Sequence, residues 1–129
     1  MISFQAFRQT DGTPIYLQII HYIQQGLAAG TIRDGDELPS RRVLSALLAV
    51  NPNTVQKAFR LLEDEGLVTS RAGAKSYMQA TPEQIAVLRR ELLETELQTM
   101  VDAARRMGLT REEAHRLLDT LYDKEGTDA

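Results

Sequence analysis

The pair Asn51-Pro52 constrains the fold of this chain more than any other feature. Proline lacks the backbone N–H that a helix interior needs, and it pushes the residue before it towards extended geometry. A helix entering from the N-terminal side must therefore end near Ala49. The same two residues favour an immediate restart, with Asn51 as N-cap and Pro52 at the first helical position. Apolar residues fit this division. Ser40 sits where an N-cap belongs, ahead of Leu44, Leu47 and Leu48 as the buried face of one short helix. Val55, Ala58, Phe59 and Leu62 supply the inward face of the next, and Gly66 ends it.

Charge along this stretch runs against the chain as a whole. The 129 residues carry a formal net charge of −3, yet no acidic residue lies between Leu38 and Leu62. Arg41, Arg42, Lys57 and Arg60 all fall in that interval. Beyond Gly66, Leu67–Ser70 and Lys75–Met78 read as two short strands with a turn at Ala72-Gly73, which places Arg71 and Lys75 near an exposed tip. A cationic helix pair followed by a basic hairpin is the arrangement by which a winged helix-turn-helix meets duplex DNA. The expected fold class is mainly α with a small β-hairpin.

Outside this stretch the elements are helical. Thr13 reads as an N-cap with Pro14 at the first helical position. Tyr16, Ile19, Ile20, Ile23 and Leu27 then form one apolar stripe up to Gly30. Residues 31–39 (TIRDGDELP) read as turns, with Asp34-Gly35 the sharpest signal. Thr81-Pro82-Glu83-Gln84 and Thr110-Arg111-Glu112-Glu113 are capping boxes for two further helices, separated near Gly108, and residues 124–129 read as a frayed tail. The predicted organisation is a winged helix-turn-helix over residues 10–79 and a helical extension over 81–125.

No cysteine is present, which excludes disulfides, zinc–cysteine sites and thiol chemistry. His21 and His115 lie far apart, no glycine-rich loop is suited to phosphate, and nothing organises carboxylates around a metal. The reading is therefore of a chain without catalytic residues, metal or cofactor. Residues 1–12 contain no apolar run long enough for a signal peptide or a membrane span, so a cytoplasmic chain with no membrane partner is expected. Up to Ala80 the net charge is +1, and from Thr81 onward it is −4. An acidic average is no argument against nucleic acid, because phosphate contacts depend on the local face.

The residues expected at DNA follow from this placement. Ser40, Arg41 and Arg42 open the bracing helix, where free N–H groups favour phosphate. Two cations there oppose the helix dipole, a local conflict of the kind found at functional sites. Asn51, Asn53, Thr54, Gln56 and Lys57 lie where a recognition helix reads base edges. Arg60 suits a phosphate, or an intrahelical pair with Asp64 four residues on. Arg71, Gly73 and Lys75 form the hairpin tip. In the extension, Leu88, Leu92, Leu93, Leu97, Met100, Val101, Leu117, Leu118 and Leu121 make a band wider than a small domain can cover, as expected of a homodimer reading a two-fold operator. The alternative is that these helices fold back on their own winged domain.

These residues resemble the GntR-type transcriptional regulators, and in particular their short YtrA-like branch. The resemblance runs from Pro14 to Met78. Pro14-Ile15-Tyr16-Leu17-Gln18-Ile19 is similar to the family's opening helix, and Asp36–Arg42 resembles its D-x-L-P-S-x-R signature. Val50–Val55 is similar to the V-N-P-N-T-V turn of the branch, and Leu62–Val68 to the L-E-x-E-G-L-V run into the wing. The resemblance implies a DNA-contacting arginine at Arg42 and a dimerising C-terminal extension. One departure stands out: Lys75 occupies the place of the second wing glycine. Either charge replaces close backbone approach there, or the wing sits differently.

The resulting expectation is a homodimeric, sequence-specific DNA-binding regulator, a repressor, with a double-stranded operator as partner. The rival is a winged helix used as a protein-interaction module. A third reading adds an unidentified small-molecule effector held between the extension and the winged domain, although no pocket-forming constellation is visible in the sequence.

Overall fold

The structure, a computed structural model, describes residues 1–71 and 75–128. Its elements are α1 (Ile15–Ala29), α2 (Arg41–Leu48), α3 (Pro52–Asp64), β1 (Val68–Arg71), β2 (Lys75–Met78), α4 (Pro82–Arg106) and α5 (Arg111–Asp128). They form two compact units, Met1–Arg90 and Glu91–Ala129.

In the first unit α3 is the hub, packed against α1, α2 and β1. Ile19, Ile23 and Leu27 from α1 meet Leu44 from α2 and Val55 and Leu62 from α3 in a fully buried core, which Leu38 and Met78 extend towards the hairpin. Each such aliphatic side chain contributes about 1.5–3 kcal/mol when removed from water. The sequence stripes predicted most of these positions. Leu47 is the exception, being 61 % exposed. The inward face of α2 instead runs through Leu44, Ser45 and Leu48, and Leu47 lies round the helix from it. Buried Ser45 is tolerated because its hydroxyl donates to the Arg42 carbonyl at 2.9 Å.

Helix ends follow local chemistry with one displacement. Ser40 and Asn51 cap α2 and α3 as expected. At α1, however, Pro14 rather than Thr13 is the N-cap, and no side chain caps the helix from that position. Proline at ψ 139° is still extended, so the helix begins one residue later than predicted. Gln18 ties down the entry instead. Its Nε2 donates to the Thr10 and Thr13 carbonyls at 2.9 and 2.7 Å, and its Oε1 accepts the Thr10 N–H at 2.9 Å. Leaving α3, Gly66 adopts φ 79°, with Leu67 N–H on the Leu62 carbonyl and Gly66 N–H on that of Glu63. This Schellman closure turns the chain into β1.

β1 and β2 pair antiparallel, Val68 opposite Met78 and Arg71 opposite Lys75. A third run joins the sheet that the sequence reading placed among turns. Glu37 bridges Tyr77, Leu38 N–H donates to the Ser76 carbonyl at 2.9 Å, and Met78 N–H donates to that of Asp36 at 2.8 Å. On its other side Ile2 N–H donates to the Glu37 carbonyl at 2.8 Å. The N-terminal arm is thus part of the fold. Ile2 and Phe4 are buried, and Phe4, Phe7 and Tyr22 cluster with ring centroids 4.8–6.0 Å apart. Gln9 Nε2 then donates to the Leu48 carbonyl at 2.9 Å, at the end of α2.

Both capping boxes form. Thr81 N–H donates to Gln84 Oε1 at 2.8 Å and Gln84 N–H to Thr81 Oγ1 at 3.1 Å, with the same reciprocal pattern between Thr110 and Glu113. Helix α5 continues to Asp128, through residues read as a frayed tail. In the second unit Leu93, Leu97, Met100, Leu117 and Leu121 are exposed, while Leu92, Val101 and Leu118 are half-buried. Leu88 departs from the expected band: it is buried and belongs to the first unit.

Candidate nucleic-acid interface

On α3 a helical step of 100° per residue puts Asn53, Gln56, Lys57 and Arg60 within one third of the circumference, opposite Val55, Ala58, Phe59 and Leu62. The structure keeps that division. The four inward residues are buried, Asn53, Lys57 and Arg60 are exposed, and Gln56 is half-buried, as is Thr54 at the edge of the outward stripe. Asn51 precedes them with its Oδ1 accepting the Asn53 N–H at 2.8 Å. Its amide nitrogen makes no hydrogen bond among the described residues.

At the start of α2, Ser40 Oγ accepts the Val43 N–H at 3.1 Å, and no carboxylate stands in the first turn. Arg41 is half-buried, with its Nε enclosed and without a hydrogen-bond partner, whereas Arg42 is exposed. Arg42 is therefore the freer of the two to meet a phosphate. The alternative of an Arg60–Asp64 pair is not formed. Among the described residues, no carboxylate pairs with Arg41, Arg42, Lys57, Arg60, Arg71 or Lys75. None of these cations is therefore neutralised by a direct ion pair among the described residues.

Two of these cations instead rest on aromatic rings. Lys57 Nζ lies 4.0 Å from the centroid of Tyr16 on α1, and Arg71 Cζ lies 4.4 Å from that of Tyr77 on β2. Arg71 and Lys75 end the paired strands as direct cross-strand neighbours, both exposed. Gly73 and the Ala72-Gly73 turn lie outside the described residues. Sequence reasoning missed both tyrosine contacts. Tyr16 carried the only available signal, as an apolar-stripe member with a polar end, but its meeting with Lys57 depends on how α1 packs on α3.

No described helix is long and apolar enough to cross a membrane. Residues 15–77 match the family model "Bacterial regulatory proteins, gntR family". The chain is 33 % identical over 106 residues to the HTH-type transcriptional repressor YtrA of Bacillus subtilis, covering 81 % of this chain and 82 % of that protein. It is 35 % identical over 100 residues to the HTH-type transcriptional regulator YhcF of the same organism, covering 78 % and 83 %. Among solved structures, a GntR family transcriptional regulator from Listeria monocytogenes superposes with a TM-score of 0.78 at 28 % identity, covering 87 % of this chain and 98 % of that one. These matches cover more of the chain than residues 15–77 and so extend past the hairpin into α4. The chain belongs to the gntR family of bacterial regulatory proteins, as a winged helix-turn-helix transcriptional regulator.

Proposed function

We propose that this regulator is a cytoplasmic homodimeric repressor that binds an inverted-repeat operator in duplex DNA, with α3 in the major groove and the β1–β2 hairpin beside it. The observation that carries the reading is the cationic face of α2, α3 and the hairpin, which no carboxylate neutralises among the described residues. Arg42 and Arg60 hold phosphates, Asn53, Gln56 and Lys57 address base edges, and Arg71 and Lys75 reach the backbone alongside. In this reading residues 10–79 bind DNA, residues 81–125 hold the dimer, and the protein acts by binding rather than by catalysis. Exposed Leu93, Leu97, Met100, Leu117 and Leu121 support dimerisation, since so much apolar surface is costly to leave in water.

Selection of bound sequences from random duplexes tests the reading directly. An enriched inverted repeat is expected, bound with an affinity that falls with salt by roughly 0.9 log units per log unit for each phosphate contacted. Sedimentation should find a dimer. No enriched sequence at low salt would favour a protein-interaction role for the winged helix.

A further inference from the structure

We infer that Tyr16 is a positioning residue for DNA recognition: its ring holds the Lys57 ammonium at the outward face of α3 without neutralising it. The inference rests on the proposed DNA-binding role and adds to it a residue outside α2, α3 and the hairpin. Tyr16 opens the α1 stripe, yet it is only half-buried, whereas Ile19, Ile20, Ile23 and Leu27 behind it are buried. Its ring therefore does more than fill core: one face is turned to α3, with Lys57 Nζ 4.0 Å from the centroid.

Lysine is a flexible point charge, and ordering it on DNA costs side-chain entropy. A carboxylate partner would order it too, but would have to be displaced by the incoming phosphate or base and would cancel the charge beforehand. An aromatic ring attracts the cation through its quadrupole and adds no net charge. Arg71 over Tyr77 shows the same choice of partner at the hairpin, 4.4 Å from the ring centroid. The Lys57 ammonium thus arrives partly ordered and without a carboxylate partner to displace.

The test combines a readout on the free protein with binding. In the unmodified protein, ring current from Tyr16 should shift the Lys57 Hε protons upfield by NMR; ordinary lysine shifts overturn the contact. On the selected operator, Tyr16→Leu should weaken binding about two- to fivefold while leaving the salt slope unchanged. Lys57→Gln should also weaken binding, because it removes the cation proposed to address a base edge. Tyr16→Phe, which keeps the ring, should bind like the parent. In the Lys57→Gln background Tyr16→Leu should have no further effect. An equal loss in both backgrounds, or a Tyr16→Phe loss as large as that of Tyr16→Leu, overturns the positioning role. Melting curves identify a variant that fails to fold, and the NMR shift of the parent then decides. A parent that binds no duplex refutes the DNA reading instead, and is distinguishable because the shift is measured without DNA.

Discussion

Arg71 and Lys75 face one another as the last paired residues of the hairpin, two exposed like charges in direct cross-strand register. Like charges so placed oppose strand pairing, by roughly 0.2–1 kcal/mol. Stacking of the Arg71 guanidinium on Tyr77 draws one of them along the strand, but both charges remain. A hairpin selected for stability alone would carry opposite signs here.

Lys75→Glu separates the two demands. It converts the repulsive pair into an attractive one, so the melting temperature should hold or rise. Operator affinity should fall, and the salt slope with it, because a cation proposed to lie beside the phosphates is replaced by an anion. Paired calorimetry and binding titrations would measure both, and a fall in both quantities, or in neither, contradicts the assignment of the hairpin tip.

Asn51 joins a structural role, as the cap of α3, to a proposed one at DNA. Asn51→Ala removes the acceptor for Asn53 N–H and should cost about 0.5–2 kcal/mol in chemical denaturation. Asn51→Asp retains the cap and suits the helix dipole, so stability should be kept. It nevertheless places a negative charge at the face proposed to meet DNA, and binding should drop at least as far as for alanine.

Gly26 lies within α1 because Ile32 folds back against it. A Cβ there would collide with Ile32 Cδ1 and stand 2.7 Å from Cγ1. Gly26→Ala should therefore destabilise by about 1–3 kcal/mol despite its better helix propensity. In an Ile32→Ala background the two clashing atoms are gone and only the Cβ at 3.2 Å remains, so the cost should shrink. Denaturant midpoints of the four proteins complete the cycle.

The local devices of this fold are legible in its sequence. Ser40, Asn51-Pro52, Gly66 and the two capping boxes act within a few residues of themselves, and each appears where its spacing predicts. What escaped reading depends on distant partners. Residues 36–38 look like a turn because nothing nearby reveals the β2 edge that receives them. Leu47 looks buried because an eight-residue helix does not disclose which way its stripe leans. The outward face of α3 was legible as a set of residues, but the tyrosine beside Lys57 was not.

Glu113 offers a pH-dependent check on the start of α5. The Thr110 backbone N–H, and then its hydroxyl, donate to this carboxylate and hold its pKa below the usual glutamate value. A depressed folded-state pKa contributes stability above the unfolded carboxylate range, and that contribution is lost as pH falls through the lowered value. NMR titration should find the low midpoint. Thr110→Ala should return it only part of the way, since the backbone donor remains.

The run Asp36–Leu38 lies between two partners, β2 on one side and the N-terminal arm at Ile2 on the other. This makes the two proposed recognition elements unequal as material for redesign. Outward residues of α3 can be exchanged with those of a relative while its buried side is left intact. The hairpin cannot travel alone: a transplant that omits the arm and residues 34–38 leaves β2 with an unmatched edge and the Met78 N–H without its Asp36 acceptor. Operator preference in hybrids should therefore be reprogrammed through α3 first, with the hairpin moved only together with the first residues of the chain.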